Sequence, residues 1–344
     1  MTTMNRTAAR LTLPLVALSL ILGCAKSGAT EAKGTGLAAQ KLKIVYIPKN
    51  TGNPYFDEVD KGFREAATKF AFDYTTVAPA KADATSQLPL IKDQIQRGVD
   101  VIAISPNSPD ALNTVLDGAK SRGITVVTVD ADLVGNEGHR DAAVLPADFG
   151  EIGPSQIELL GKLTGYQGDF AILSATTDAP NQNAWIAKMK DALKEPKYAK
   201  MRLVDTVYGD DEPQKSTTEC EGLLAKYPSL KGIVSPTSVG LAASAQVVDR
   251  AGKKVILTGL STPNQLKKFV KDGTVPSFQL WSPKDEGFIA AYVGAKLHTK
   301  AVKAAEGTEV DVPTLGKRKF SAKMELTGGP ILTFDKANVD QYNF

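Results

Sequence analysis

Cysteine and histidine are almost missing from this sequence. Its 344 residues hold two of each: Cys24 and Cys220, His139 and His298. Cys24 ends an apolar leader, so Cys220 stands alone in the remainder and no disulfide can form there. Two scattered histidines likewise exclude a histidine-rich metal site. Net charge is small, +3 at pH 7, and no block of five or more like charges occurs. The electrostatic footprint of a nucleic-acid or anionic-membrane binder is therefore lacking. No apolar run reaches the roughly 20 residues of a transmembrane helix. Walker A, HExxH and nucleophile-elbow patterns are absent too. What is there, 42% hydrophobic and 23% charged residues, is the composition of a soluble globular protein long enough for two domains.

The N-terminal stretch has a different character. Arg6 and Arg10 precede the apolar run "LTLPLVALSLIL", which ends in Gly23 and Cys24. Its length suits a secretory signal core, and "ILGC" resembles a bacterial lipobox, with Cys24 as the lipidated residue. The alternative is an ordinary signal peptide that happens to contain a cysteine. Residues 1–23 are thus expected to be a lipoprotein signal peptide, and 24–41, rich in small and polar residues, a flexible tether. "GTGLAA" within that tether mimics a dinucleotide fingerprint, but it precedes the first strand instead of following one, so it carries no weight.

Beyond residue 41, short Val/Ile/Leu-rich runs alternate with amphipathic ones. "LKIVYI", "DVIAIS", "ITVVTV", "DFAILS", "MRLVDTV", "GIVS", "KVILTG" and "SFQLW" read as parallel strands buried on both faces. Helical spacing links Phe56, Val59, Phe63, Ala66 and Phe70 between the first two. Such alternation predicts an α/β protein, and so many strands fit two sheets better than one.

The strand ends share a pattern. "TGNPYF", "SPNSPDAL", "LSTPNQL" and "LWSPKDEG" place Asn53, Ser108, Thr262 and Ser282 as helix N-caps before prolines at the first helical position. "DAPNQNAW" and "SPTSVG" are looser versions. Ligands of open α/β sheets bind outside the carboxyl ends of the strands, where all these joins fall. Candidate ligand-binding residues are Lys49, Asn53, Tyr55, Phe56, Asn107, Asp130, Asn181, Gln182, Trp185, Pro236, Thr237, Ser238 and Trp281. Amides, a lysine and a carboxylate beside flat aromatic faces suit a neutral sugar: its hydroxyls both donate and accept, and its C–H faces offer apolar area. Gly-rich loops or arginine clusters for a phosphate do not occur at these joins. Asp130 and Asp132 can be read as a carboxylate pair and Lys49 as a Schiff-base lysine, but binding without chemistry is the better reading. No cofactor and no metal are expected. Cys220, in a helical pattern, reads as a packing residue.

In their order along the chain, "ILGC", "IVYIPKNTGNPYF", "DVIAISPNSPDAL", "GITVVTVDAD", "APNQNAWIAKMK", "IVSPTSVG", "ILTGLSTP" and "FQLWSPKDEGFIAAY" resemble a periplasmic sugar-binding protein of the ribose/galactose cluster, nearest to rhamnose binders and the autoinducer-2 receptor. The resemblance implies a type I periplasmic binding protein, two Rossmann-like lobes joined by three crossovers, 42–147 with 282–309 and 148–281 with 310–344. It implies a monomeric receptor in the cell envelope, lipid-anchored outside the cytoplasmic membrane or periplasmic, serving an ABC permease and ATPase. It also implies that Lys49, Asp130 and Gln182 reach the ligand, with Pro236 and Ser238 as a backbone-contact segment. Asn181 stands where the autoinducer-2 receptor has an aspartate and rhamnose binders an asparagine. Ribose binders have arginines near Asp130 and Gln182 and an aspartate at Ser261, all missing here. Rhamnose is the first expectation, autoinducer-2 the second, ribose or galactose further behind. A DNA-binding repressor shares this core, but begins with a helix-turn-helix in place of a leader.

Overall fold

The computed structural model describes residues 41–252 and 254–344. The leader, the Cys24 lipid site and nearly all of the tether lie outside the described residues.

The chain alternates strand and helix from its first described element. The first part runs β1 (Lys43–Ile47), α1 (Pro54–Phe70), β2 (Asp73–Thr76), α2 (Ala84–Gln96), β3 (Val101–Ile104), α3 (Asn113–Lys120), β4 (Thr125–Val129) and β5 (Ala142–Leu145). The second runs α4 (Phe149–Thr164), β6 (Gln167–Ser174), α5 (Pro180–Ala192), β7 (Lys200–Tyr208), α6 (Pro213–Lys226), β8 (Gly232–Ser235), α7 (Ser238–Ala251), β9 (Ile256–Gly259), α8 (Pro263–Asp272) and β10 (Ser277–Leu280). α9 (Pro283–His298) follows, then β11 (Glu309–Val312), β12 (Gly316–Lys319), β13 (Glu325–Thr327) and β14 (Leu332–Asp335).

Two sheets result. The first has the order β13-β5-β4-β3-β1-β2 and is parallel throughout. The second, β7-β6-β8-β9, is also parallel. It is extended through a single bridge between Leu260 and Gln279 to β10, which pairs antiparallel with β14. The chain passes between the two sheets three times: from β5 to α4, from β10 to α9, which packs on β3, β4 and β5, and from β13 to β14. The expectation that all of 310–344 joins the second lobe needs correction, because β13 adds an edge to the first sheet in register with Ala143–Leu145. Three residues with one buried side chain, Leu326, are too short to announce themselves.

α1 shows why the pattern folds this way. Asn53 caps it by accepting from the Tyr55 N–H, and Pro54 occupies the first turn, where no donor is needed. Val59 and Phe63 are fully buried on its inner face, each contributing about 1.5–3 kcal/mol, and Phe63 stacks on Tyr46 of β1 at 4.6 Å. Glycine lets α9 come close to it. A Cβ on Gly62 would lie 1.9 Å from the Lys284 carbonyl oxygen, and one on Gly287 would lie 2.0 Å from that of Val59. This contact sets the middle of α1 against the start of α9. Ser282 caps α9 as expected, accepting from the Asp285 N–H. Ser108 does not cap a helix: its Oγ donates to Asp110 at 3.1 Å and accepts from the Ala111 N–H, making a local turn, and α3 starts only at Asn113.

Among the described residues no helix is long and apolar enough to cross a membrane, and no cluster of histidine, cysteine or acidic side chains could hold a metal ion. Cys220 is buried in α6, its thiol pushed up to about 11 by burial.

Candidate functional site

One cavity lies at the carboxyl ends of both sheets. It is lined by Lys49, Asn53, Tyr55, Phe56 and Asp130 from the first, and by Asn181, Gln182, Trp185, Asp211, Pro236, Thr237, Ser238 and Leu260 from the second, with Trp281 at the passage between β10 and α9. Of the residues singled out in the sequence, all but Asn107 line it. Asn107 stands behind the wall, its amide donating to the Lys49 carbonyl at 2.8 Å, and lines a neighbouring cavity of about 300 Å³. It supports the loop that presents Lys49 and does not reach the cavity itself.

The polar groups of the two sides meet directly. Lys49 Nζ donates to Asn181 Oδ1 at 2.5 Å and lies 3.9 Å from Asp130 Oδ2. The Asn181 amide donates to the same Asp130 oxygen at 3.0 Å. Gln182 donates to the Pro236 carbonyl at 2.7 Å and accepts from Ser174 at 3.1 Å. Ser238 donates to Asn53 Oδ1 at 3.0 Å, a third direct link between the sides. The cavity offers about 40 Å³, room for no more than a few waters. A ligand the size of a monosaccharide therefore has to replace these mutual contacts with its own.

Asp130 follows β4 in the left-handed backbone region, φ 65°, a costly conformation for a residue with a Cβ and one concentrated at functional sites. Asp132, two residues on, turns the other way and forms a buried two-pronged pair with Arg140 at 2.7 and 2.6 Å. Only one of the two carboxylates faces the cavity, so no carboxylate pair exists. Burial pushes the Asp130 carboxyl up to about 6, against the pull of Lys49 and the Tyr55 hydroxyl. Burial likewise holds the Lys49 ammonium below the ordinary lysine range, opposed by Asp130 and Asp211.

Aromatic rings form the remaining wall. Trp281 and Trp185 meet edge to face at 5.8 Å, Tyr55 and Trp281 at 6.2 Å, and Tyr55 and Phe56 at 5.2 Å. Trp281 Nε1 donates to the Tyr55 hydroxyl at 2.8 Å, which donates to Glu286 Oε2 at 2.7 Å. Trp185 Nε1 has no hydrogen-bond partner among the described residues. Glu286, on α9, is fully buried, and burial together with nearby Asp130 raises its carboxyl well above the ordinary range.

Three residues of this arrangement were not foreseen: Asp211, Leu260 and Glu286. Asp211 had a readable signal, since "YGDDEPQK" repeats the pattern of a polar join before a proline that opens a helix. Leu260 and Glu286 had none, lying in an apolar run and an ordinary helical pattern.

Comparison with known proteins places this geometry. A family model described as "Periplasmic binding protein domain" matches residues 44–301. A sugar ABC transporter structure from Actinomyces odontolyticus is 38% identical, covering 88% of this chain and 98% of that one, with a TM-score of 0.70. An ABC transporter solute-binding protein from Clostridium phytofermentas with bound L-rhamnose is 33% identical over the same shares, with a TM-score of 0.84. The D-ribose/D-allose-binding protein of Pseudomonas aeruginosa is 25% identical over 288 residues, 79% of this chain and 86% of that protein. Members of this family are solute receptors and not enzymes. With its parallel sheets, three passages and one polar and aromatic cavity between them, the chain belongs to the periplasmic binding proteins, as a sugar-binding protein of the ABC transporter type.

Proposed function

We propose that the protein captures L-rhamnose for import. The observation that carries this reading is the Lys49–Asn181–Asp130 chain lying against the Trp281–Trp185–Tyr55 wall. Rhamnose needs both, because it carries several hydroxyls and one methyl group. Lys49, Asp130, Asn181 and Gln182 supply donors and acceptors for the hydroxyls, and the rings cover the methyl and the C–H face. The neutral amide at Asn181 fits the rhamnose branch, and the 33% identical relative with bound L-rhamnose supports the same assignment.

Capture works by closure. The two lobes, 42–147 with 282–327 and 148–281 with 328–344, swing about the three passages. Sugar stabilises the closed form by its differential affinity for it. The loaded receptor docks on a permease driven by its ATPase. The receptor acts as a monomer in the cell envelope, held by a lipid on Cys24 after removal of the leader.

Calorimetric titration with L-rhamnose, autoinducer-2 and D-ribose in turn tests the ligand. Rhamnose is expected to bind tightest; autoinducer-2 binding far tighter than rhamnose would overturn the reading of Asn181. Mass spectrometry of the mature N-terminus tests the anchor, and an unmodified N-terminus beyond Cys24 would remove it.

A further inference from the structure

The loop after β7 sends two neighbouring acids in opposite directions. Asp210 and Asp211 both take left-handed φ, 54° and 53°, which is unfavourable for residues with a Cβ and rarely occurs twice running. The loop is pinned by its backbone: Gly209 N–H donates to the Ser174 carbonyl at 2.9 Å and Asp210 N–H to that of Ala175 at 3.0 Å. Asp210 turns toward solvent and pairs with Lys215. Asp211 turns inward, is 7% exposed and lines the cavity.

Its Oδ1 accepts from the Thr237 hydroxyl. Its Oδ2 makes no hydrogen bond among the described residues. Among the described residues, Lys49 is the only lysine or arginine lining the cavity, and it already serves Asp130. Asp211 therefore brings a second negative charge with no cation of its own. An anionic ligand would meet two carboxylates and one shared ammonium in a desolvated space, and like charges in such a site are strongly disfavoured. Hydroxyl donors on a neutral ligand satisfy both acids at once.

We propose that Asp211 is a specificity-determining contact of the sugar site: its Oδ2 takes a ligand hydroxyl on the second-sheet side as Asp130 does on the first. Together the two acids restrict the site to uncharged polyols and reject sugar acids and sugar phosphates. This rests on the sugar-receptor reading and deepens it.

The test is calorimetry on the full chain with L-rhamnose, D-ribose, D-galactose and the anionic D-galacturonate, for wild type, Asp211→Asn, Asp211→Ala and Asp210→Asn. Wild type is expected to bind its preferred neutral sugar and to discriminate strongly against galacturonate. Asp211→Asn should weaken the neutral sugar by roughly tenfold or more and narrow that discrimination, while Asp210→Asn binds as wild type. If Asp211→Ala does not fold, Asp211→Asn decides, because it keeps the shape and the Thr237 contact. A neutral sugar other than rhamnose binding best would overturn the rhamnose reading, and Asp211 would then be judged with that sugar. Unchanged binding by Asp211→Asn, or galacturonate binding wild type as tightly as the neutral sugars, would overturn the inference itself.

Discussion

Glu286→Gln isolates the cost of a carboxyl buried behind the site. The side chain is fully buried and its Oε2 accepts from the Tyr55 hydroxyl; burial and nearby Asp130 raise its titration well above the ordinary 4.5. The native state therefore keeps a proton that the unfolded chain releases once pH exceeds about 4.5. Native binds more protons than unfolded over that range, so this group's contribution is fully present below the unfolded value and declines as pH rises. The decline is about 1.4 kcal/mol per pH unit for as long as the native group stays protonated. Glutamine keeps the shape and an acceptor for Tyr55 but does not titrate. Relative to wild type, the variant should become steadily more stable from pH 5 to pH 7, by at most about 1.4 kcal/mol per pH unit. Urea denaturation of both proteins at pH 5, 6 and 7 measures this. A difference that stays flat across that range would mean the native carboxyl is ionised or hydrated, refuting the reasoning.

Asp130→Ala removes the acceptor of the Asn181 amide and the ion-pair partner of Lys49, and should weaken L-rhamnose by at least about tenfold in calorimetry. The same acid predicts a pH profile: with its carboxyl at about 6, sugar affinity should hold at pH 7.5 and decline toward pH 5 as the acceptor is protonated. A flat profile would exclude Asp130 as an ionised acceptor. Gly62→Ala sets a methyl against the Lys284 carbonyl and should lower stability by about 1–3 kcal/mol in thermal unfolding, despite alanine's better helix propensity.

The apolar strands were legible because burial on both faces leaves a continuous apolar run. β2, "DYTT", was not, since it is an edge strand with exposed and half-buried polar residues. β5, "AAVL", escaped because two alanines carry little strand signal although all four residues are buried. The lining of the candidate cavity was legible because a proline-opened helix after a buried strand marks a carboxyl-end join. Asn107 obeys that rule yet serves as a support, because its amide was drawn to the Lys49 carbonyl. Glu286 reaches the site only through the close approach of α1 and α9, a tertiary fact with no local trace in sequence.

A crystal structure grown with saturating L-rhamnose tests the central claim most directly. The account predicts the sugar between the two sheets, its ring against Trp281 and its hydroxyls inserted between Lys49, Asp130, Asn181 and Gln182, with the 2.5 Å Lys49–Asn181 contact opened to admit it. A Lys49–Asn181 bond left intact, with rhamnose elsewhere or absent, would contradict it.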